Sequence, residues 1–324
     1  MCTALTLLTQ DHYFGRNLDL EYAYKETVTV TPRNFPLPFR HSQTIPSHHA
    51  MIGMAFVSDN YPLYYDATNE KGLSIAGLNF PKNAAYHKPK EGKHNITPFE
   101  LIPWILGQCI TVREALTLLL ETNLTDEPFS EELPLSPLHF IISDRDESLT
   151  AEPMSDGLKL YHNPLGVLTN NPPFPLQLFH LNNYMHLSPH TPKNFFSTDF
   201  PLEIYSNGMG ALGMPGDWSS QSRFVKTAFL KLNSVCGSSE EESVSQFFHL
   251  LGAVEHPRGS VVMDNGLCEI TLYSSCCNTD RGIYYYRTYE NSGISAVDLH
   301  RENLDGSRLI SYPLKKGSSF DFQN

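Results

Sequence analysis

The chain has 324 residues, 40% of them hydrophobic, and carries 23 basic against 35 acidic side chains for a formal net charge of −12. That apolar content is enough for one large core, while the negative charge and the lack of any Lys/Arg stripe exclude nucleic acid as a partner, because phosphates need clustered cations. No apolar run of about 18 residues occurs, and no charged start leads into an apolar export segment of roughly 7–15 residues, so the expectation is a cytoplasmic protein without membrane insertion.

Six cysteines are scattered without a CxxC pair, and fourteen histidines lack ligand spacing. Neither a disulfide framework nor a metal site is expected, and no cofactor is implied. Pro-rich spots such as 35–39, 134–137 and 172–175 look like loops between elements, and there is no Gly/Ser linker, so residues 1–324 are expected to form one domain.

The first element is the most informative. Cys2 follows Met1 and opens a β-prone run, Leu5, Leu7 and Leu8, which turns through Gln10-Asp11-His12 into 13–19. This predicts a hairpin that returns Arg16 and Asp19 towards Cys2. With Met1 removed, Cys2 carries a thiol and a free α-amine on one residue, with reference pKa values of about 8.5 and 7.7–8.0, so nucleophile and base are tethered a few bonds apart. Arg16 would then stabilise the thiolate, and Asp19 would hydrogen-bond and orient the α-amine. Read alone, Cys2 is equally an ordinary small residue after the initiator, and Arg16 with Asp19 a surface pair.

Further strands are predicted at 27–31, 51–57, 63–67 and 73–78. Apolar residues at i, i+3 and i+4 predict helices over 98–109 and 112–121, with Thr97 and Thr111 as N-caps. Strands return at 138–143, 149–152, 158–161 and 166–168, followed by a helix over 176–184. Two more helices are predicted at 221–232 and 242–254, and the acidic run Glu240-Glu241-Glu242 after Ser239 reads as a helix N-terminus. The tail predicts strands at 270–276, 282–289 and 294–298. Sheet, helix pair, sheet, helix pair, sheet is the order of two stacked sheets flanked by helices, an α/β sandwich.

The ordered set Cys2, Gly15-Arg16-Asn17-Leu18-Asp19, Asn69-Glu70-Lys71-Gly72-Leu73, Ala76-Gly77-Leu78-Asn79-Phe80-Pro81, Leu168-Thr169-Asn170, Pro215-Gly216-Asp217 with Ser222-Arg223-Phe224, and the tail Ile283-Tyr284-Tyr285-Tyr286 resembles the choloylglycine hydrolase family. That family holds bile salt hydrolases and penicillin V acylases. The resemblance runs over essentially the whole chain and implies a four-layer αββα sandwich of two mainly antiparallel sheets, the N-terminal-nucleophile hydrolase fold. It also implies that Cys2 is the nucleophile, with Arg16, Asp19, Asn79, Asn170 and Arg223 at the family's active-site positions. The chemistry fits, since Asn79 and Asn170 offer amide donors for a tetrahedral oxyanion.

By the same resemblance the substrate is a glycine- or taurine-conjugated bile salt, Asn79 standing where penicillin V acylases often carry tyrosine. Leu18, Tyr65, Phe129, Leu133 and Leu138 are the expected lining of the steroid pocket, Tyr65 being bulky where some members are small. Arg16, Lys82 or Arg223 would supply the local positive charge that an anionic substrate needs in an acidic protein. A homotetramer is implied as well. The alternatives are a penicillin V acylase or broader N-acyl amide hydrolase, and a steroid-binding protein whose Cys2 is inert.

Overall fold

A three-residue connection joins β1 (Cys2–Leu8) to β2 (His12–Leu20), and its tightness sets their register, with Leu8 opposite His12 and Cys2 opposite Leu18. The computed structural model describes every residue except Ser319. The chain continues through β3 (Thr27–Thr31), β4 (Met51–Ser58), β5 (Tyr61–Asn69), β6 (Ser74–Asn79) and β7 (His94–Ile96) to α1 (Leu101–Gln108) and α2 (Val112–Leu120). Next come β8 (Thr122–Leu124), β9 (Leu138–Ser143), β10 (Ser148–Met154), β11 (Gly157–His162), β12 (Val167–Leu168) and α3 (Phe174–His180). The last third holds α4 (Ser220–Leu232), α5 (Glu240–Gly252), β13 (Val261–Val262), β14 (Cys268–Asn278), β15 (Ile283–Thr288), β16 (Ser295–Asp298) and β17 (Ile310–Pro313).

Two large sheets result. One runs β12-β1-β2-β14-β15-β16 with β13 on β14, and the other runs β11-β10-β9-β6-β5-β4-β3-β17. Pairing within both is antiparallel, whereas β7 and β8 form a small parallel pair apart from them. Alternate residues of the second sheet enter different cores: Ile52, Met54, Ala76, Leu78 and Ile141 face the first sheet, while Met51, Ile75, Phe140 and Ile142 pack with Leu101, Ile105 and Leu119 of α1 and α2. A strand buried on both faces must read as a nearly unbroken apolar run, which is how β4 and β9 read. On the outer face of the first sheet lie α4 and α5, through Phe224, Phe247 and Leu251. The layers are therefore helix, sheet, sheet, helix, as expected.

Local chemistry explains the boundaries. Ser239 caps α5, its hydroxyl accepting from Glu242 N while the Glu242 carboxylate accepts from Ser239 N, so the acidic run sits on the helix N-terminus as predicted. Thr111 caps α2 through its hydroxyl, which accepts from Glu114 N, while the Glu114 carboxylate accepts from Ile110 N. The stretch 98–100 is a 3₁₀ turn, and α1 proper starts only at Leu101. The helix predicted over 176–184 starts at Phe174, where Pro173 and Pro175 suit a first turn that needs no N–H donors, and it ends as a 3₁₀ turn over 181–184. Gly15 is fixed by close approach: a Cβ there would stand 2.0 Å from the Ser275 carbonyl oxygen of β14. The strands missed from sequence, β7, β8, β13 and β17, are two to four residues long, too short to carry a period.

Candidate active site

Strand alternation divides the groups around Cys2 between two faces. Cys2, Ala4, Arg16 and Leu18 share the face towards the second sheet, and Thr3, Asn17 and Asp19 share the face towards α4 and α5. On the inner face Arg16 is fully buried, and its Nη1 donates to the carbonyls of Tyr65 (2.9 Å) on β5 and Gly77 on β6. Its Nη2 is buried without a partner among the described residues. Burial alone would lower the Arg16 guanidinium, but the negative potential of Cys2, Tyr273, Asp66 and Asp19 holds it above its usual value, so it stays charged. Asp66 is itself buried and accepts from the hydroxyls of Tyr273 and Tyr284, both at 2.6 Å.

The backbone of Cys2 is gripped from the helix side. Its N–H donates to Asn170 Oδ1 at 2.9 Å, and its carbonyl accepts from Arg223 Nη1. Arg223, in the first turns of α4, also donates to Thr3 Oγ1 (2.6 Å), to Asn170 Oδ1 (2.7 Å) and, through Nε, to the Trp218 carbonyl (3.0 Å). Full burial lowers its guanidinium, and Asp19, Cys2 and Glu269 oppose that shift. The Pro215-Gly216-Asp217 segment aims the helix: Asp217 accepts from Ser219 N (2.9 Å) and Ser222 Oγ (2.6 Å), and these bonds with Ser219 and Ser222 hold its carboxyl down to about 2.

Asn170 follows β12, which pairs with β1, and this pairing carries it to the strand end. Its N–H donates to Ser220 Oγ (2.7 Å), its carbonyl accepts from Gln177 Nε2 (2.6 Å), and its Nδ2 donates to the Asn79 carbonyl (2.6 Å). The Asn170 side chain thus spends its oxygen on orienting Cys2 and Arg223, and one amide proton on tying β6 in place. The Asn79 side-chain amide makes no hydrogen bond among the described residues, which leaves it open for a ligand.

Asp19 lies directly opposite Thr271 of β14, whose hydroxyl donates to Oδ1 at 2.6 Å. Its Oδ2 faces His256 Nε2 at 3.7 Å. With Met1 in place, the N-terminal ammonium donates to the Asp19 carbonyl (2.6 Å) and to Glu269 Oε1 (2.7 Å). Thr3, His256, Glu269 and Thr271 were not picked out from sequence. Polar residues recurring inside the long strand β14, at 269, 271, 274 and 275, were the available signal.

The expected pocket residues are distributed unevenly. Leu18 is the cross-strand neighbour of Cys2, and Leu138 is that of Asn79. Tyr65 is half-buried beside Arg16, which its carbonyl binds. Phe129 packs in a three-ring cluster with Tyr61 and Phe99, at centroid distances of 5.9 and 5.2 Å, and Leu133 closes a turn onto Ser130. Lys82 is exposed in a left-handed backbone conformation next to Pro81, whose carbonyl binds Asn171 Nδ2.

The chain is similar to known proteins in sequence and in fold. A relative from Lactiplantibacillus plantarum, a bile salt hydrolase/transferase, is 55% identical over 99% of both chains. A bile salt hydrolase/transferase from Clostridium perfringens is 37% identical over the full length of both. The solved structure of a mutant conjugated bile acid hydrolase from Clostridium perfringens superposes with a TM-score of 0.93 at 37% identity, covering all of both chains. A penicillin V acylase structure from Agrobacterium tumefaciens, 20% identical with a TM-score of 0.74 over 97% of this chain and 92% of that one, shares the fold. The family of linear amide C–N hydrolases known as the choloylglycine hydrolase family matches residues 2–312, and the chain belongs to it.

Proposed function

We propose that the protein hydrolyses the amide of glycine- or taurine-conjugated bile salts, with Cys2 as nucleophile once Met1 is removed. The observation that carries this reading is the convergence on Cys2 of Asn170 Oδ1, Arg223 Nη1 and the Arg16 guanidinium, each buried and each from a different element. The names of the 55% and 37% identical relatives support the substrate class.

The Cys2 thiolate attacks the amide carbonyl carbon, and negative charge collects on the oxygen. Three groups are available to receive it: the open Asn79 amide, the second Asn170 amide proton and the unpartnered Arg16 Nη2. Preorganised donors of this kind are each worth roughly 2.7–4 kcal/mol of barrier. The C–N bond then breaks as the α-ammonium gives its proton to the leaving amine. Water attacks the thioester, the α-amine takes up its proton, and the carboxylate departs as the thiolate is restored.

Leu18 and Leu138, adjacent to Cys2 and Asn79, form the near wall of the steroid pocket, with Tyr65, Phe129 and Leu133 further along it. Arg16 and Arg223 supply the positive potential, with Lys82 at the rim. The reading extends to a cytoplasmic homotetramer. Phe195, Phe196 and Tyr205, 79–89% exposed in the segment between α3 and α4, are apolar surface that a second copy would cover. All six cysteines are free thiols, and no helix of the described residues is long and apolar enough to cross a membrane.

The relatives' hydrolase/transferase names favour a second activity at the same site, in which an acceptor other than water takes the acyl group from Cys2. The deciding experiment is a ninhydrin comparison. Release of glycine or taurine from conjugated bile salts is expected, whereas 6-aminopenicillanic acid from penicillin V as the main product would reassign the substrate.

A further inference from the structure

We propose that Glu269, with His256 between it and Asp19, is a positioning residue for the chain's terminal ammonium: that of Met1 before processing and that of Cys2 afterwards. The inference rests on the reading of Cys2 as a terminal nucleophile.

The cradle is built and occupied. Glu269 is 3% exposed, and its Oε1 lies 2.7 Å from the Met1 ammonium. The Asp19 carbonyl completes the grip at 2.6 Å, one peptide unit from Cys2 N. His256, fully buried, places Nδ1 3.3 Å from the same Glu269 oxygen and Nε2 3.7 Å from Asp19 Oδ2. Ligand atoms of Asp19, His256 and Glu269 lie within 4.8 Å of one another, but the close approaches use opposite ring nitrogens. The ring therefore stands between two carboxylates at ion-pair range, with no hydrogen bond from either nitrogen among the described residues, and does not close a single metal shell. Thr271 locks both ends, its hydroxyl donating to Asp19 and accepting from His256 N. Burial would raise the Glu269 carboxyl, yet His256 and the ammonium hold it below its usual value, so it stays anionic.

Every charged group around the amine is then accounted for. Asp19 and Arg16 come from β2, Glu269 from β14, Arg223 from α4, His256 from the loop after α5, and the Cys2 thiol is on the residue itself. When Met1 leaves, Glu269 loses the ammonium it held, and the new Cys2 α-ammonium arises one residue along the chain, beside Arg223, on which Glu269 also acts. An anion at this range favours the protonated amine, so Glu269 sets the pH at which the amine becomes a base.

The test uses full-length protein released from a cleavable tag that leaves Cys2 as the first residue, so wild type, Glu269→Gln and Glu269→Asp share one N-terminus. The α-amine is titrated by ¹³C NMR of cysteine-labelled protein, and kcat/KM is followed against pH with a conjugated bile salt. Glu269→Gln is expected to move the amine titration and the acid limb of kcat/KM down by about one pH unit, as loss of a near carboxylate does. Glu269→Asp is expected to restore most of that shift. A Glu269→Gln protein that loses activity or stability with an unmoved titration would overturn the proposal in favour of a purely structural residue. Absence of turnover in wild type with the titration shift intact would instead refute the hydrolase reading and leave the cradle standing.

Discussion

Replacing Asn170 by alanine tests how far catalysis depends on holding Cys2 in place. The side chain takes part in three hydrogen bonds, to Cys2 N (2.9 Å), Arg223 Nη2 (2.7 Å) and the Asn79 carbonyl (2.6 Å), at a residue 4% exposed. The bond to the Arg223 guanidinium is charge-assisted and worth about 1.5–3 kcal/mol, and the others about 1 kcal/mol each before local relaxation. A net loss of about 2–4 kcal/mol is expected. At about 2.1 cal/mol/K per residue, the unfolding entropy of 324 residues gives about 1.5 °C per kcal/mol, so Tm should fall by about 3–6 °C. The effect on rate should be larger than any such weakening explains, because the α-amine loses its acceptor and the oxyanion one donor. A drop of about 10²–10³ in kcat is expected. Calorimetry and steady-state kinetics on Met1-free protein measure both. A variant with lowered Tm and kcat within threefold of wild type would show that Asn170 only supports the fold, and the mechanism would need another orienting group.

Cys2→Ala should abolish hydrolysis, while the intact mass of active wild type should lack Met1. Retained Met1 in active protein would refute the role of the α-amine, and a Cys2 that resists iodoacetamide would favour the binding-protein alternative. Burial lowers His12 to about 4, so between pH 6.5 and 4 the unfolded chain binds the proton that the folded chain excludes. Stability should therefore fall as pH drops through this window, by about 3 kcal/mol from this one group, and level off below it. Urea titrations at several pH values should show a shallower acid decline in His12→Gln; an unchanged slope would assign the decline to other groups. The proposed homotetramer should dissociate in Phe195→Asp combined with Phe196→Asp, read by light scattering; a wild type of monomer mass would refute the tetramer, and an unchanged variant mass would place its interface elsewhere.

Much of this protein is decided by local order along the chain. The β1–β2 hairpin follows from a short polar turn between apolar strands, and that alone returns Arg16 and Asp19 to Cys2. The capped N-termini of α2 and α5 follow from Thr111, Ser239 and Glu242, and the two-sheet sandwich from strand blocks alternating with helix pairs. The candidate site residues were singled out by the family resemblance and not by local pattern, since Asn170 alone reads as a turn former and Arg223 alone as a surface ion pair.

What only the tertiary structure decided is which atom of each group does what. Asn170 presents its oxygen, not only its amide, to Cys2, because Arg223 and β12 converge on it from separate parts of the chain. His256 and Glu269 join the site because β14 pairs with β2 across some 250 residues of sequence, and no local pattern encodes a partner that distant. Periodicity tells which face of a strand is buried. It does not tell which buried polar groups share a hydrogen-bond network, since that depends on the register between strands that only folding brings together.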